Sequence, residues 1–558
     1  MFGTARLVRI GFIGLGLTLP YASAIFGTQN SPSEQNPISN GRFKIAGTVV
    51  NSVDGEPLGQ ARVSIADTTD RANAVTLITS SNGHFEFDGL KIGKFALNGA
   101  RRGFLPGAYD QHEQYSTAIV TGKGLDTEHL VLRLTPFAVI TGTVFDELGD
   151  PARNAQVMLF RENHSGGINR IVRFGAETTD DQGAYEFPSL APGSYFVSVT
   201  ARPWYAVRPA YVSTGNGAGS SPGVARALDV AYPTTYFGGA TEAEGATALE
   251  VKGGDRAQAD VHLNPIPALR LVFRVPEGQR YSMPTFRKRV FDSTEFIQSE
   301  ATQSGSSPNV IELTGIPAGR YIVQFTDPQS GQLAQSSEVD LVRDGQELDS
   351  EHGELAATAK LSVKIPREDG LPRQLFVGLQ DSRRRIVAYK PVDAVGRVML
   401  EGLQAGKYSI LAISPPKLYS VYRISSQGTE IPGQELTVTA GSSLDLTIYL
   451  VAGAVRIEGF AKRNDKAVAG AMVILVPKDP RSDVQIFRRD QSDFDGSFVL
   501  RDVIPGSYTI VAVQDAWDFA WLEPGVLARY IQHGQNLTIG ELMKGSFHLP
   551  DPVEVQPR

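Results

Sequence analysis

The chain has 558 residues, 41% hydrophobic and 20% charged, with a net charge of −7 and a pI near 5.7. That length exceeds one hydrophobic core, and the composition is that of a folded rather than a disordered chain. The acidic balance disfavours a nucleic-acid partner, and the absence of cysteine excludes disulfides, thiolate metal sites and cysteine nucleophiles.

In chain order, residues 1–24 read as a cleaved signal peptide. Arg6 and Arg9 precede a short apolar run from Ile10 to Leu19, and Ala22-Ser23-Ala24 offers a small-x-small cleavage site. The run is shorter than the roughly 20 residues of a bilayer span. No later stretch is long and apolar enough to cross a membrane. The protein is therefore expected to be secreted or periplasmic. Residues 25–42 are a Ser/Asn/Pro-rich linker.

The remainder alternates short β-patterned runs with Gly, Pro, Asn and Asp turns. Its fullest pattern runs from Gly142 to Val199. Gly142-Thr143-Val144-Phe145 opens it, Ala155-Gln156-Val157-Met158-Leu159 follows, and Asp181-Gln182-Gly183-Ala184-Tyr185 forms the middle. Leu190-Ala191-Pro192-Gly193-Ser194-Tyr195 begins its close. Copies of this pattern divide the chain into about five β-sandwich modules at residues 43–136, 137–267, 268–356, 357–452 and 453–558. The third and fourth are degenerate and lack the opening Gly-x-Val. The second carries a long insertion from Ala201 to Asp229. The stretch from Ile531 to Arg558 reads as at most one short helix or strand and a Pro-rich tail. A Gly followed two residues later by an aromatic closes every copy: Gly93/Phe95, Gly193/Tyr195, Gly319/Tyr321, Gly406/Tyr408 and Gly506/Tyr508. A turn glycine and an inward aromatic serve folding, so this motif predicts architecture alone.

The Gly-x-Val opening, the Asp-x-Gly-x-Tyr/Phe middle and the Leu-x-Pro-Gly-x-Tyr close resemble the carboxypeptidase regulatory-like domain. The resemblance is good over Ile45–Phe95, Ile140–Val199 and Glu458–Val513. It implies an all-β, prealbumin-like (Ig-like) sandwich repeated in tandem, as in exported bacterial proteins, and glycan or protein binding. It does not imply peptidase activity, because in those enzymes the sandwich is accessory.

The residues themselves offer little catalytic chemistry. The eight histidines are scattered, and none forms the His-x-x-Glu or His-Glu-x-x-His pattern of a zinc site. Gly219-Ser220-Ser221-Pro222-Gly223 mimics a nucleophile elbow, but Pro222 lacks the N–H that an oxyanion hole needs. The Asp-rich turns at Asp180-Asp181 and Asp493-Phe494-Asp495 lack the distal Glu of a calcium loop and read as hairpin turns. Lys44 is a first-strand lysine of the first module, and the equivalent places elsewhere hold Ile140 and Ile457, so isopeptide crosslinks are not expected. No cofactor is implied.

The aromatics are the best lead. Trp204, Trp517 and Trp521 each follow the Gly-x-Tyr strand of a complete module, with Tyr205, Tyr211 and Phe519 beside them. Such rings stack on sugars, anchor a protein partner or pack against the next module. The sequence thus predicts a non-enzymatic exported binding protein, most readily one that binds carbohydrate at the cell envelope. The alternatives are a structural or adhesive spacer, expected to be elongated, and an envelope protein that binds a protein partner. The sequence fixes no oligomeric state.

Overall fold

Alternating polar and apolar residues in each run leave one face of each strand to be covered, and pairs of facing sheets cover it. The computed structural model describes residues 39–558, apart from 123, 207–227, 275–282, 304–309, 349–352, 367–369, 416, 432–434, 481–483 and 524. The signal-peptide reading, Tyr211 and the Gly219–Gly223 pattern therefore lie outside the described residues. The fold is nearly all β, 58% strand and 2% helix.

The first sandwich sets the pattern. Its opening strand, Ser39–Asn51, lies between His84–Leu90, antiparallel, and Leu130–Leu134, parallel. The facing sheet runs Asp70–Ile78, Arg62–Asp67, Gly93–Ala100, with short strands at its edge. The other four repeat a parallel pairing between opening and closing strands. Ala138–Phe145 takes Arg256–Gln258 and Val261–His262, and Ile266–Arg274 takes Gln346–Leu348. Ala357–Lys364 takes Ser443–Ala452, and Val455–Arg463 takes Gly545–His548 and Val553–Gln556. The worn third and fourth copies are thus complete sandwiches, each with its own core.

The C-terminal reading is corrected. Residues from 531 onward hold three strands, Gln535–Ile539, Gly545–His548 and Val553–Gln556. The last alternates buried Val553 and Val555 with outward residues. It pairs parallel with strands of both sheets of the fifth sandwich. Prolines at 550 and 552 hide the strand from a pattern reading, yet they precede it and remove no ladder hydrogen bond within it.

The recurrent motifs have packing reasons. Gly83, Gly183 and Gly496, in the Asn82-Gly83, Gln182-Gly183 and Asp495-Gly496 turns, have φ of +76°, +70° and +78°, and a Cβ on any of them would stand 2.6 Å from a backbone oxygen. The closing tyrosines are buried, and each donates its hydroxyl to the carbonyl four residues earlier: Tyr195 to Ala191 at 2.7 Å, Tyr321 to Pro317 at 2.8 Å, Tyr408 to Gln404 and Tyr508 to Ile504 at 2.9 Å. The ring doubles back over its glycine, so a Cβ on Gly406 or Gly506 would meet it at 3.2 Å.

The sandwiches do not string out. The first docks on the fifth, and the second touches all the others. Its Phe160, Phe196 and Tyr236 surround Phe291 of the third, with ring centroids 4.9 to 5.7 Å apart. The turn between Gln156–Asn163 and Arg170–Thr178 reaches the fourth and fifth. Arg384 Nη1 donates to the Gly166 carbonyl at 3.1 Å, and Leu522 N to the Gly167 carbonyl at 2.7 Å.

Candidate functional site

The predicted aromatics separate into two environments. Trp517 and Trp521 are 8% and 7% exposed. They lie in the contact among the first, second and fifth sandwiches. Trp517 stacks on His112 of the first sandwich, centroids 5.1 Å apart and planes within 10°, and its Nε1 donates to the Gly470 carbonyl at 3.0 Å. Trp521 lies under the Arg489 guanidinium at 4.6 Å and against Gly167 of the second sandwich. Phe519 is half-buried against Tyr530 and Arg558. These three rings occupy packing positions.

The same contact carries a dense polar seam. Lys94 Nζ lies 2.6 Å from Asp493 Oδ2 and donates to Ser497 Oγ at 2.7 Å. Asp493 Oδ1 accepts the Ala118 N–H at 3.0 Å. Gln491 donates to the Asp110 carbonyl and the Thr117 hydroxyl at 2.5 and 2.8 Å. Arg489 pairs with Glu113 at 2.7 Å. Nothing in the sequence marked this seam, because its partners lie nearly 400 positions apart.

Trp204 is different: it is 84% exposed. Where the Gly193–Thr200 strand ends, a turn closed by Ala206 N to the Pro203 carbonyl at 3.1 Å presents Trp204 outward and Tyr205 inward. The two rings meet edge to face at 5.7 Å. Tyr205 donates its hydroxyl to one oxygen of Glu147, and Tyr232 donates to the other at 2.6 Å. Glu147 is held at a turn whose Asp146 carboxylate accepts the N–H groups of Leu148 and Asp150, both at 2.9 Å. Leu148, beside it in sequence, is 78% exposed. Sequence reasoning singled out Trp204 and Tyr205 as candidates here. It missed Glu147, Leu148 and Tyr232, which different loops bring to the same end of the sandwich.

The electrostatics fit positioning rather than proton transfer. Burial works to raise the Glu147 carboxyl, but the two phenol donors outweigh it and hold the group below its ordinary range. Tyr205 is pushed up to about 12, first by burial and then by Glu147, and Tyr232 is raised by the same causes. An ionised carboxylate clamped between two neutral phenols is a poor general acid. The arrangement fixes a flat ring at the surface.

In the second sandwich the Asp180-Asp181 turn uses a carboxylate on its own backbone: Asp180 Oδ1 accepts the N–H groups of Gln182 and Ala184 at 2.8 and 2.9 Å. Lys44 forms ion pairs with Glu86 and Asp88 at 3.0 and 3.4 Å. Among the described residues no group of three or more His, Asp or Glu side chains could hold a metal ion, and no helix is long and apolar enough to cross a membrane.

Comparison with known proteins fits the strand pairing. Residues 44–123 and 139–221 match the carboxypeptidase regulatory-like domain. These are the first and second sandwiches, and the fifth, outside the matched segments, shares their parallel pairing of opening and closing strands. No curated protein matches the chain. Among solved structures the chain is similar to the Bacillus anthracis TIE protein, at 10% identity over 76% of each chain with a TM-score of 0.17. It is also similar to a streptococcal ancillary pilin, at 13% identity over 52% of this chain and 100% of that one with a TM-score of 0.19. A third is BcpA, the major pilin subunit of Bacillus cereus, at 11% identity over 73% of this chain and 98% of that one with a TM-score of 0.15.

Proposed function

We propose that this is a non-enzymatic protein of the bacterial cell envelope, exported by its N-terminal signal, in which a folded-back array of sandwiches presents a carbohydrate-binding platform on the second. The observation that carries this reading is Trp204: a fully presented indole whose neighbours are locked. A sugar ring stacks on such a face through its axial C–H groups, and a ring held in place before binding loses little entropy on contact. Leu148 extends the apolar surface, and the ionised Glu147 leaves acceptor capacity for sugar hydroxyls.

The expected result of Trp204→Ala is loss of retention on the polysaccharide or peptidoglycan that retains the parent chain, with an unchanged thermal midpoint. Trp517→Ala, by contrast, is expected to lower the midpoint. Lack of retention of the parent on every polysaccharide tested, or equal retention of Trp204→Ala, would overturn the carbohydrate reading. The structural or adhesive alternative draws on Trp517 and Trp521, which are buried where sandwiches meet, but the folded-back array does not fit an elongated spacer.

A further inference from the structure

The point where the sandwiches converge carries charge that no carboxylate among the described residues neutralises. The hairpin between Phe376–Gln380 and Ile386–Pro391 of the fourth sandwich has Arg383, Arg384 and Arg385 at its tip. Arg383 pairs with Asp292 of the third sandwich at 2.9 Å, and Arg385 with Asp381 at 2.6 Å. Arg385 also donates to the Asp292 carbonyl at 3.4 Å. Among the described residues the Arg384 side chain donates to the Gly166 carbonyl of the second sandwich and to no carboxylate. Arg170 of the second sandwich donates to the carbonyls of Arg383 and Arg384 at 3.3 and 3.5 Å, and its buried Nε has no partner among the described residues. Arg489 of the fifth donates to the Ser165 carbonyl at 3.2 Å and pairs with Glu113 of the first. All five sandwiches thus contribute a charged residue to one junction.

Five guanidiniums, at Arg170, Arg383, Arg384, Arg385 and Arg489, face three paired carboxylates, at Glu113, Asp292 and Asp381. Arg170 and Arg384 have no carboxylate partner among the described residues. Burial, and then the charges of Arg170 and Arg489, disfavour the cationic form of Arg384. Its backbone is also unfavourable for a side chain: φ is +58°, at a hairpin position that suits glycine. A strained backbone that places a third arginine beside two others is kept against both local conformation and charge repulsion.

We propose that this junction is a binding site for one small tetrahedral oxyanion of the phosphate or sulfate class, held between Arg170 and Arg384. A dianion would balance the two unpaired guanidiniums, and their planar donors match its oxygens. Because the second and fourth sandwiches each supply one arginine, the bound ion braces the folded-back array. The site is independent of the Trp204 platform.

The test is calorimetric titration of the intact chain with inorganic phosphate at low ionic strength in chloride. One saturable site per chain is expected, weakened at least tenfold by Arg170→Gln and by Arg384→Gly. The glycine variant suits the φ of that position, so the array should still fold without the charge. Absence of a saturable site in the parent, or unchanged affinity in both variants, would overturn the proposal. Dextran sulfate in a parallel titration separates a free ion from an ester on a polymer. A site between half-buried guanidiniums where sandwiches meet is expected to ignore the polymer, and competition with phosphate would overturn the small-ion assignment.

Discussion

Arg489→Ala is expected to undo the docking of the first sandwich on the fifth at a cost of about 3–5 kcal/mol, the range for removing one partner of a buried ion pair. The pair is well enclosed, with side-chain exposures of 5% for Arg489 and 14% for Glu113. Without the guanidinium, Glu113 is left desolvated and unpaired. The rings of Tyr115, Trp517 and Trp521, all within 5.9 Å of the Arg489 guanidinium carbon, lose a shared cation. Denaturant unfolding would show the loss as a lower midpoint or as separate transitions for separated sandwiches. The double variant Arg489→Met, Glu113→Leu should recover much of it, since an apolar pair leaves no orphaned charge. If Arg489→Ala unfolds like the parent, the pair does not hold the contact.

The second large effect is on pH dependence. Asp490, on the Arg488–Gln491 strand that edges the fifth sandwich, has its carboxyl raised from an ordinary 3.8 to about 6. Burial is the main cause. The N–H groups of Val499 and Gln491 oppose it, Asp493 adds to it and Arg501 opposes it weakly. A carboxyl with a folded pKa above its unfolded value binds its proton more tightly in the native state. Its contribution to stability is fully present below the unfolded value and is lost as pH rises through about 6. The displacement corresponds to about 3 kcal/mol by pH 8. Asp493, raised by burial despite Lys94, acts in the same direction. Asp490→Asn keeps an acceptor for the Val499 N–H, now 2.7 Å from Oδ2, and removes the titration. It should therefore raise the unfolding midpoint at pH 8, change it little below about pH 4, and flatten the profile between about pH 4 and 6. A profile parallel to that of the parent would show that Asp490 ionises freely in the native state.

Much of this was legible in the sequence because strand, turn and core are local demands. The closing Gly-x-aromatic motif marked all five sandwiches, and the glycine turns of the middle marked the first, second and fifth. Each is set by contacts within about four residues or across one hairpin, as the tyrosine-to-carbonyl bonds at 195, 321, 408 and 508 show. Trp204 was singled out as a candidate because an indole straight after a core strand must either pack or face solvent. Its setting was not: Glu147 and Tyr232 lie 57 and 28 positions away in sequence, and nothing in their neighbourhoods signals that they meet. The tail was missed because the prolines before Val553 outweighed its short alternation. Least legible was the return of the first sandwich to the fifth. A spacer of five sandwiches was expected to be elongated. Folding back depends on residues such as Gln491, Lys94 and Arg384 that look like ordinary surface positions until the third dimension pairs them.

Small-angle scattering of the intact chain tests the folded-back array most directly. Five sandwiches converging on one junction should give a radius of gyration of about 25–30 Å, near that of a compact chain of this length. A radius above about 50 Å, with the long maximum dimension of a rod, would contradict the contacts that join the first sandwich to the fifth and the second to all the others.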